Sequence, residues 1–168
     1  MKIERVILDT GPLVAVLSAK DSWHGWAVKL FHGLPLPCLT CEAVLSEAFF
    51  RLRKDDKATG ALCTMIDRAA FRAIPVVSMG GVARYVVQYR VDFADACLVA
   101  LSENFPTATI VTTDKRDFSI MRRFGRERIP FIAPELHGSG RVNRSARHKP
   151  RMITIKGTKG QLPVTAAR

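Results

Sequence analysis

The chain has 168 residues, 48% of them apolar and 24% charged, which suits one globular domain with a substantial core and excludes disordered or fibrous classes. Its longest stretch without a formal charge, residues 30–41, has twelve residues and two prolines, short of the roughly twenty apolar residues that cross a bilayer. The net charge of +11 is uneven: residues 1–137 hold 18 basic and 15 acidic residues, whereas residues 138–168 hold 8 basic and none acidic.

Two organisational expectations follow. A domain over 1–137 is followed by a basic tail, 138–168, opened by Gly138-Ser139-Gly140. Such a tail attracts phosphate backbones without sequence preference; the plain alternative is a solvated segment with no specific partner. Lys2 and Arg5 precede an apolar run that Asp9 and Gly11-Pro12 interrupt, so no export signal and a cytoplasmic location are expected.

In chain order, Ile3 to Leu8 reads as a buried strand that ends at Asp9-Thr10-Gly11-Pro12. Pro12 suits a first helical turn capped by Thr10 or Gly11. A second helix is expected from about Ser22 to Phe31 and a short strand from Leu36 to Leu39. Thr40 is placed to cap a helix from Cys41 to about Lys54, with Glu42 in its first turn and Val44, Leu45, Ala48, Phe49 and Leu52 as its buried stripe. Further helices are expected over 56–71 and 81–89, with a strand at 74–77 between them. Asp92 to Glu103 is apolar almost all round and reads as a helix packed on more than one side. Thr109 to Thr113 is a fourth strand, 118–124 a helical turn or two, and 131–133 a last strand. Alternating strands and helices imply an α/β domain with a mostly parallel central sheet.

Four acids stand out because their neighbours are apolar: Asp9, Glu47, Asp95 and Asp114. Each has a local explanation. Asp9 can bond the turn after it, Glu47 can pair with Arg51 four residues on, and Asp114 can cap a helix with Asp117 in its first turn, as Asp92 can cap the helix that carries Asp95. The joint reading is different. Ligands of parallel sheets gather outside the carboxyl ends of the strands, where Asp9 and Asp114 lie, and isolated buried carboxylates cost several kcal/mol each. Carboxylates converging there form an oxygen-only site suited to Mg²⁺ or Mn²⁺. Hydrolysis of a phosphodiester is the natural chemistry, with one metal or two. Lys115 and Arg116, beside Asp114, either steer a phosphate backbone or are simply solvated.

Competing chemistries lack their residues. There is no glycine-rich phosphate loop with a lysine, no Gly-x-Ser-x-Gly elbow, and Gly11 stands where an aspartyl-phosphate enzyme needs a second acid. His24, His32, His137 and His148 are scattered. Cys38 and Cys41 have zinc-like spacing without a second pair, and buried free thiols are expected of them. Trp23 and Trp26 read as core packing or a partner-facing patch.

With these residues in place, the chain resembles the PIN-domain ribonucleases, most closely VapC-type toxins of toxin–antitoxin pairs. The resemblance rests on Val6-Ile7-Leu8-Asp9-Thr10-Gly11, Leu45-Ser46-Glu47, Asp92-Phe93-Ala94-Asp95-Ala96 and the run from Ile110 to Phe118 with Thr112-Thr113-Asp114 and Asp117. It covers about residues 3–134, and the basic tail has no counterpart in it. It implies a PIN-like α/β/α sandwich, Mg²⁺ held by Asp9, Glu47, Asp95 and Asp114, a supporting hydroxyl at Thr112, metal-dependent RNA cleavage, a homodimer and a small antitoxin partner. Asp92 and Asp117 are weaker matches. The rival expectation is a non-catalytic RNA-binding or scaffold protein with the same fold.

Overall fold

The computed structural model describes residues 3–75 and 79–135. The basic tail and the expected boundary at 137 lie outside them, as do Val76 and Val77 of the expected third strand.

Branched apolar residues form β1 (Val6–Leu8), all three buried, and the chain turns at Asp9 into α1 (Thr10–Leu17). Next come α2 (His24–Phe31), β2 (Cys38–Thr40), α3 (Glu42–Leu52), α4 (Asp56–Asp67) and β3 (Phe71–Ala73). The remainder is α5 (Met79–Tyr89), α6 (Phe93–Asn104), β4 (Thr109–Val111), α7 (Lys115–Ile120), a hairpin of β5 (Arg122–Arg123) and β6 (Glu127–Arg128), and β7 (Phe131–Ile132).

Five strands make one all-parallel sheet in the order β3-β2-β1-β4-β7. The chain first runs outward from β1 to β3 and then returns to the other side of β1 with β4, so the strand order reverses between β1 and β4. That reversal opens the crevice where ligands of such sheets bind. α1 packs on α2, α3 and α4, α5 packs on α6, and α6 also meets α3; right-handed crossovers of a sheet whose strand order reverses place helices on both of its faces. The result is the α/β/α layering expected.

Several local expectations change. Asp9, not Thr10 or Gly11, caps α1, accepting from Thr10 N. Cys41 occupies the cap position of α3 without a side-chain bond, because the Thr40 hydroxyl is used elsewhere: it donates to Leu8 O at 3.0 Å and ties β2 to β1. The third strand lies at 71–73 rather than 74–77, where it pairs with Cys38–Thr40. Residues 118–124 divide between α7 and a tight hairpin, since Gly125 at φ +74 permits a reversal that a helix would not. Cys38, Cys41 and Cys97 are buried free thiols, and Trp26 is packed against the core.

α6 is the element most deeply embedded. Ala96, Cys97, Leu98 and Val99 are fully buried, so its position, and with it that of Asp95, is set by packing on several sides. Leu98→Ala should destabilise the protein by about 2–5 kcal/mol, the range for a buried leucine that leaves a cavity. Urea denaturation would read this as a lower midpoint at unchanged slope.

Candidate active site

Every helix that carries one of the acids starts at the carboxyl edge of the sheet. α1, α3 and α7 do so because each follows a parallel strand, and α6 because it precedes β4 and runs against it. Asp9 caps α1, Asp92 caps α6 and Asp114 caps α7. Helix N-termini carry partial positive charge and free N–H groups, so this edge is built to receive negative charge.

Asp9 is the anchor. It is 8% exposed, and its backbone N–H donates to Val111 O at 3.0 Å, which fixes it between β1 and β4. Its Oδ1 accepts from Thr10 N at 2.5 Å and its Oδ2 from the buried Thr112 hydroxyl at 2.7 Å. The Thr112 Oγ1 in turn accepts from Asp114 N at 2.8 Å. One hydroxyl therefore links the acid after β1 to the acid after β4.

Glu47 approaches from α3. Its Oε2 accepts from the Thr10 hydroxyl at 3.2 Å, while its Oε1 lies 3.9 Å from Arg51 on the solvent side. The local pairing that the sequence allows and the inward contact are thus both present, on different oxygens. Asp95 lies in the first turn of α6, where Asp92 Oδ1 accepts from Asp95 N at 2.9 Å. Asp114 Oδ1 accepts from Asp117 N at 3.1 Å.

These groups act on one another through their charge. Burial first, and then the charges of Asp9, Asp92, Asp117 and Asp114, push the Asp95 carboxyl up to about 9. Asp9 is raised to about 6, mainly by burial, with Glu47 and Asp92 adding to the rise against the bonds from Thr112 and Thr10. Glu47 is raised by burial and by Asp92, against Arg51 and Thr10. All six acids singled out in the sequence therefore interact at one edge. Among the described residues, no three acidic, histidine or cysteine side chains stand close enough to hold a metal ion as they are. The acids repel across the crevice without closing on a common point.

Two residues here carry functions that the sequence reading did not assign. Thr10 connects Asp9 to Glu47. Gly11 makes room for Thr113: a Cβ at Gly11 would collide with the Thr113 hydroxyl and lie 3.0 Å from its Cβ. The signal was present as hydroxyl residues flanking the acids, Thr10 beside Asp9 and Thr112-Thr113 before Asp114. Lys115 and Arg116 are exposed at the start of α7.

The fold and the acid-lined edge define a class: the chain has the PIN-like fold of VapC-type toxins. Among solved structures it is similar to Mycobacterium tuberculosis VapC20, a sarcin-ricin loop cleaving toxin, at TM-score 0.60 and 21% identity over 67% of this chain and 92% of that one. It is also similar to a toxin–antitoxin complex from Klebsiella pneumoniae, at TM-score 0.57 and 15% identity over 77% of this chain and 98% of that one. No family profile and no curated protein matches it in sequence. No helix among the described residues is long and apolar enough to cross a membrane.

The raised acids imply a pH dependence. Because the folded carboxyls lie above the unfolded value of 3.8, their protonation favours the fold: the contribution is complete below 3.8 and lost as pH rises through about 6 for Asp9 and about 9 for Asp95. Without divalent cations, melting temperature should fall from about pH 5 to about pH 9, and Asp95→Asn should flatten that fall. A pH-independent melting temperature would contradict the arrangement. Gly11→Ala should lower stability by displacing Thr113, seen as a lower thermal midpoint.

Proposed function

We propose that this protein is a Mg²⁺-dependent endoribonuclease and the toxin of a toxin–antitoxin pair, with Asp9, Glu47, Asp95 and Asp114 holding the metal and Asp92 and Asp117 at the rim. The observation that carries this reading is Asp95. A folding core gains nothing from an acid whose carboxyl is driven to about 9 by burial and four other acids, whereas a cation site needs that concentration of charge.

The donor set fits the ion, since every group offered is a carboxylate oxygen and hard cations prefer oxygen. When bound, Mg²⁺ would lower the pKa of an attacking water and offset negative charge on the scissile phosphate. The protein's own share is orientation. Thr112 holds Asp9 and the start of α7 in one register, and Thr10 holds Glu47 inward against the pull of Arg51. Both oxygens of Asp9 keep acceptor capacity beyond their present bonds, because a carboxylate offers about four lone-pair sites. Lys115 and Arg116 lie beside Asp114, where a phosphate backbone entering the crevice would meet them.

The structural likeness to a sarcin-ricin loop cleaving toxin and to a toxin–antitoxin complex supports the toxin role. An antitoxin partner, a homodimer and a cytoplasmic location belong to the same reading.

Single-stranded RNA should be cleaved with Mg²⁺ or Mn²⁺ and spared with EDTA. Asp9→Asn and Asp95→Asn should each reduce the rate by more than about a hundredfold while the protein stays folded. Full activity in either variant would sink the assignment of that residue. If neither the full chain nor a chain lacking 138–168 cleaves RNA, and only the full chain binds it, the protein is a non-catalytic RNA binder instead.

A further inference from the structure

We propose that the β5–β6 hairpin is a docking surface for single-stranded RNA, holding the strand away from the acidic edge. The proposal rests on the nuclease reading for the chemistry of its ligand, and on four features of the hairpin itself.

The first is charge. Four of the protein's 26 basic residues, Arg122, Arg123, Arg126 and Arg128, fall within seven positions that hold only Glu127 as an acid. The second is a division of labour between faces. Arg123 points inward, 5% exposed, where it pairs with Glu127 and donates to Ser102 O and Pro106 O. The directly opposed pair Arg122 and Arg128 therefore lies on the other face. Like charges directly across a ladder destabilise it, so folding does not account for this pair. Arg122 is partly used, donating to Ser119 O and Met121 O at the end of α7. Among the described residues, the side chains of Arg126 and Arg128 make no hydrogen bond or ion pair and are exposed.

The third feature is Phe124. It is 50% exposed and sits at φ +50 beside Gly125 at φ +74. Asn or Gly would occupy that backbone conformation without strain, and a bulky aromatic is a rare occupant. Strain of this kind is tolerated where a side chain has work to do. The fourth is rigidity: Glu103 accepts from Phe124 N at 2.7 Å and also pairs with Arg84, which fastens the turn to α6 and α5.

An aromatic ring beside free guanidinium groups on a fixed turn is the chemistry that holds single strands, by base stacking and phosphate contact. A folded protein partner would call for a wider apolar surface. The location fits the nuclease reading. Glu103 lies eight residues along α6 from Asp95, so the hairpin sits about 12 Å along the helix from the acids at 1.5 Å per residue. A strand cut at the acidic edge would reach it within a few nucleotides.

The test measures binding of a fluorescent single-stranded RNA to the full chain in EDTA, so that neither cleavage nor metal enters. The double variant Arg126→Glu/Arg128→Glu should bind about tenfold or more weakly, and its plot of log affinity against log salt should flatten by about 1.4, for two lost phosphate contacts. Phe124→Asn should bind about fivefold or more weakly although its melting temperature holds or rises, a combination that a purely structural role would not produce. Wild-type affinity and salt slope in both variants would overturn the proposal. Cleavage by the wild-type protein with Mg²⁺ is assayed alongside: its absence refutes the nuclease reading, while the hairpin is still judged on affinity.

Discussion

The repulsion among carboxylates at the carboxyl edge is the constraint around which this structure is arranged. Asp9 is almost fully buried, between the two strands where the sheet reverses direction, and it is tied there by backbone and side chain alike. Asp95 is surrounded by four other acids. Partial compensation comes from the helix N-termini that meet at this edge and from hydroxyls that donate into it. The cation paired with Glu47 is Arg51, and it sits on the outer oxygen of that carboxylate.

The fold makes the constraint affordable by distributing it. Each acid is attached to an element whose other interactions are strong: Asp9 to the central ladder, Asp95 to a helix buried on several sides, Asp114 to a turn held by Thr112. None of these elements can retreat to relieve the repulsion, because retreat would open the core. A preorganised, electron-rich crevice is the outcome, and preorganisation is what catalysis by charge stabilisation requires. The basic hairpin at the far end of α6 has the complementary character, with cations and an aromatic ring held outward on an equally fixed base.

Legibility in the sequence varied with how local the cause was. The strand before Asp9, the buried helix around Asp95 and the alternation of strands and helices follow from runs and periodicities confined to a few neighbouring residues, and the parallel sheet agrees with them. Caps were less legible. Thr40 looks like a capping residue, yet its hydroxyl is claimed by Leu8 O on the adjacent strand, a competitor thirty-two positions away that no local pattern reveals. The same holds for Thr10, whose bond to Glu47 spans thirty-seven positions, and for Gly11, which is small because Thr113 lies against it. The hairpin at 122–128 was hidden for another reason: Gly125 is preceded by Phe124 and not by Asn or Asp, so the paired turn signal was absent.

Chemistry-bearing residue types, their order, and the edge of the sheet they should occupy are properties of the chain itself, because hydrophobic period and strand-end position are written in adjacent residues. Which acids face each other, which hydroxyl bridges them and which arginines are left without partners depended on the folded arrangement. Those outcomes are set by strand order and helix packing, which bring together groups as far apart as the 103 positions between Asp9 and Thr112, and the energies that decide among them act through space and not along the backbone.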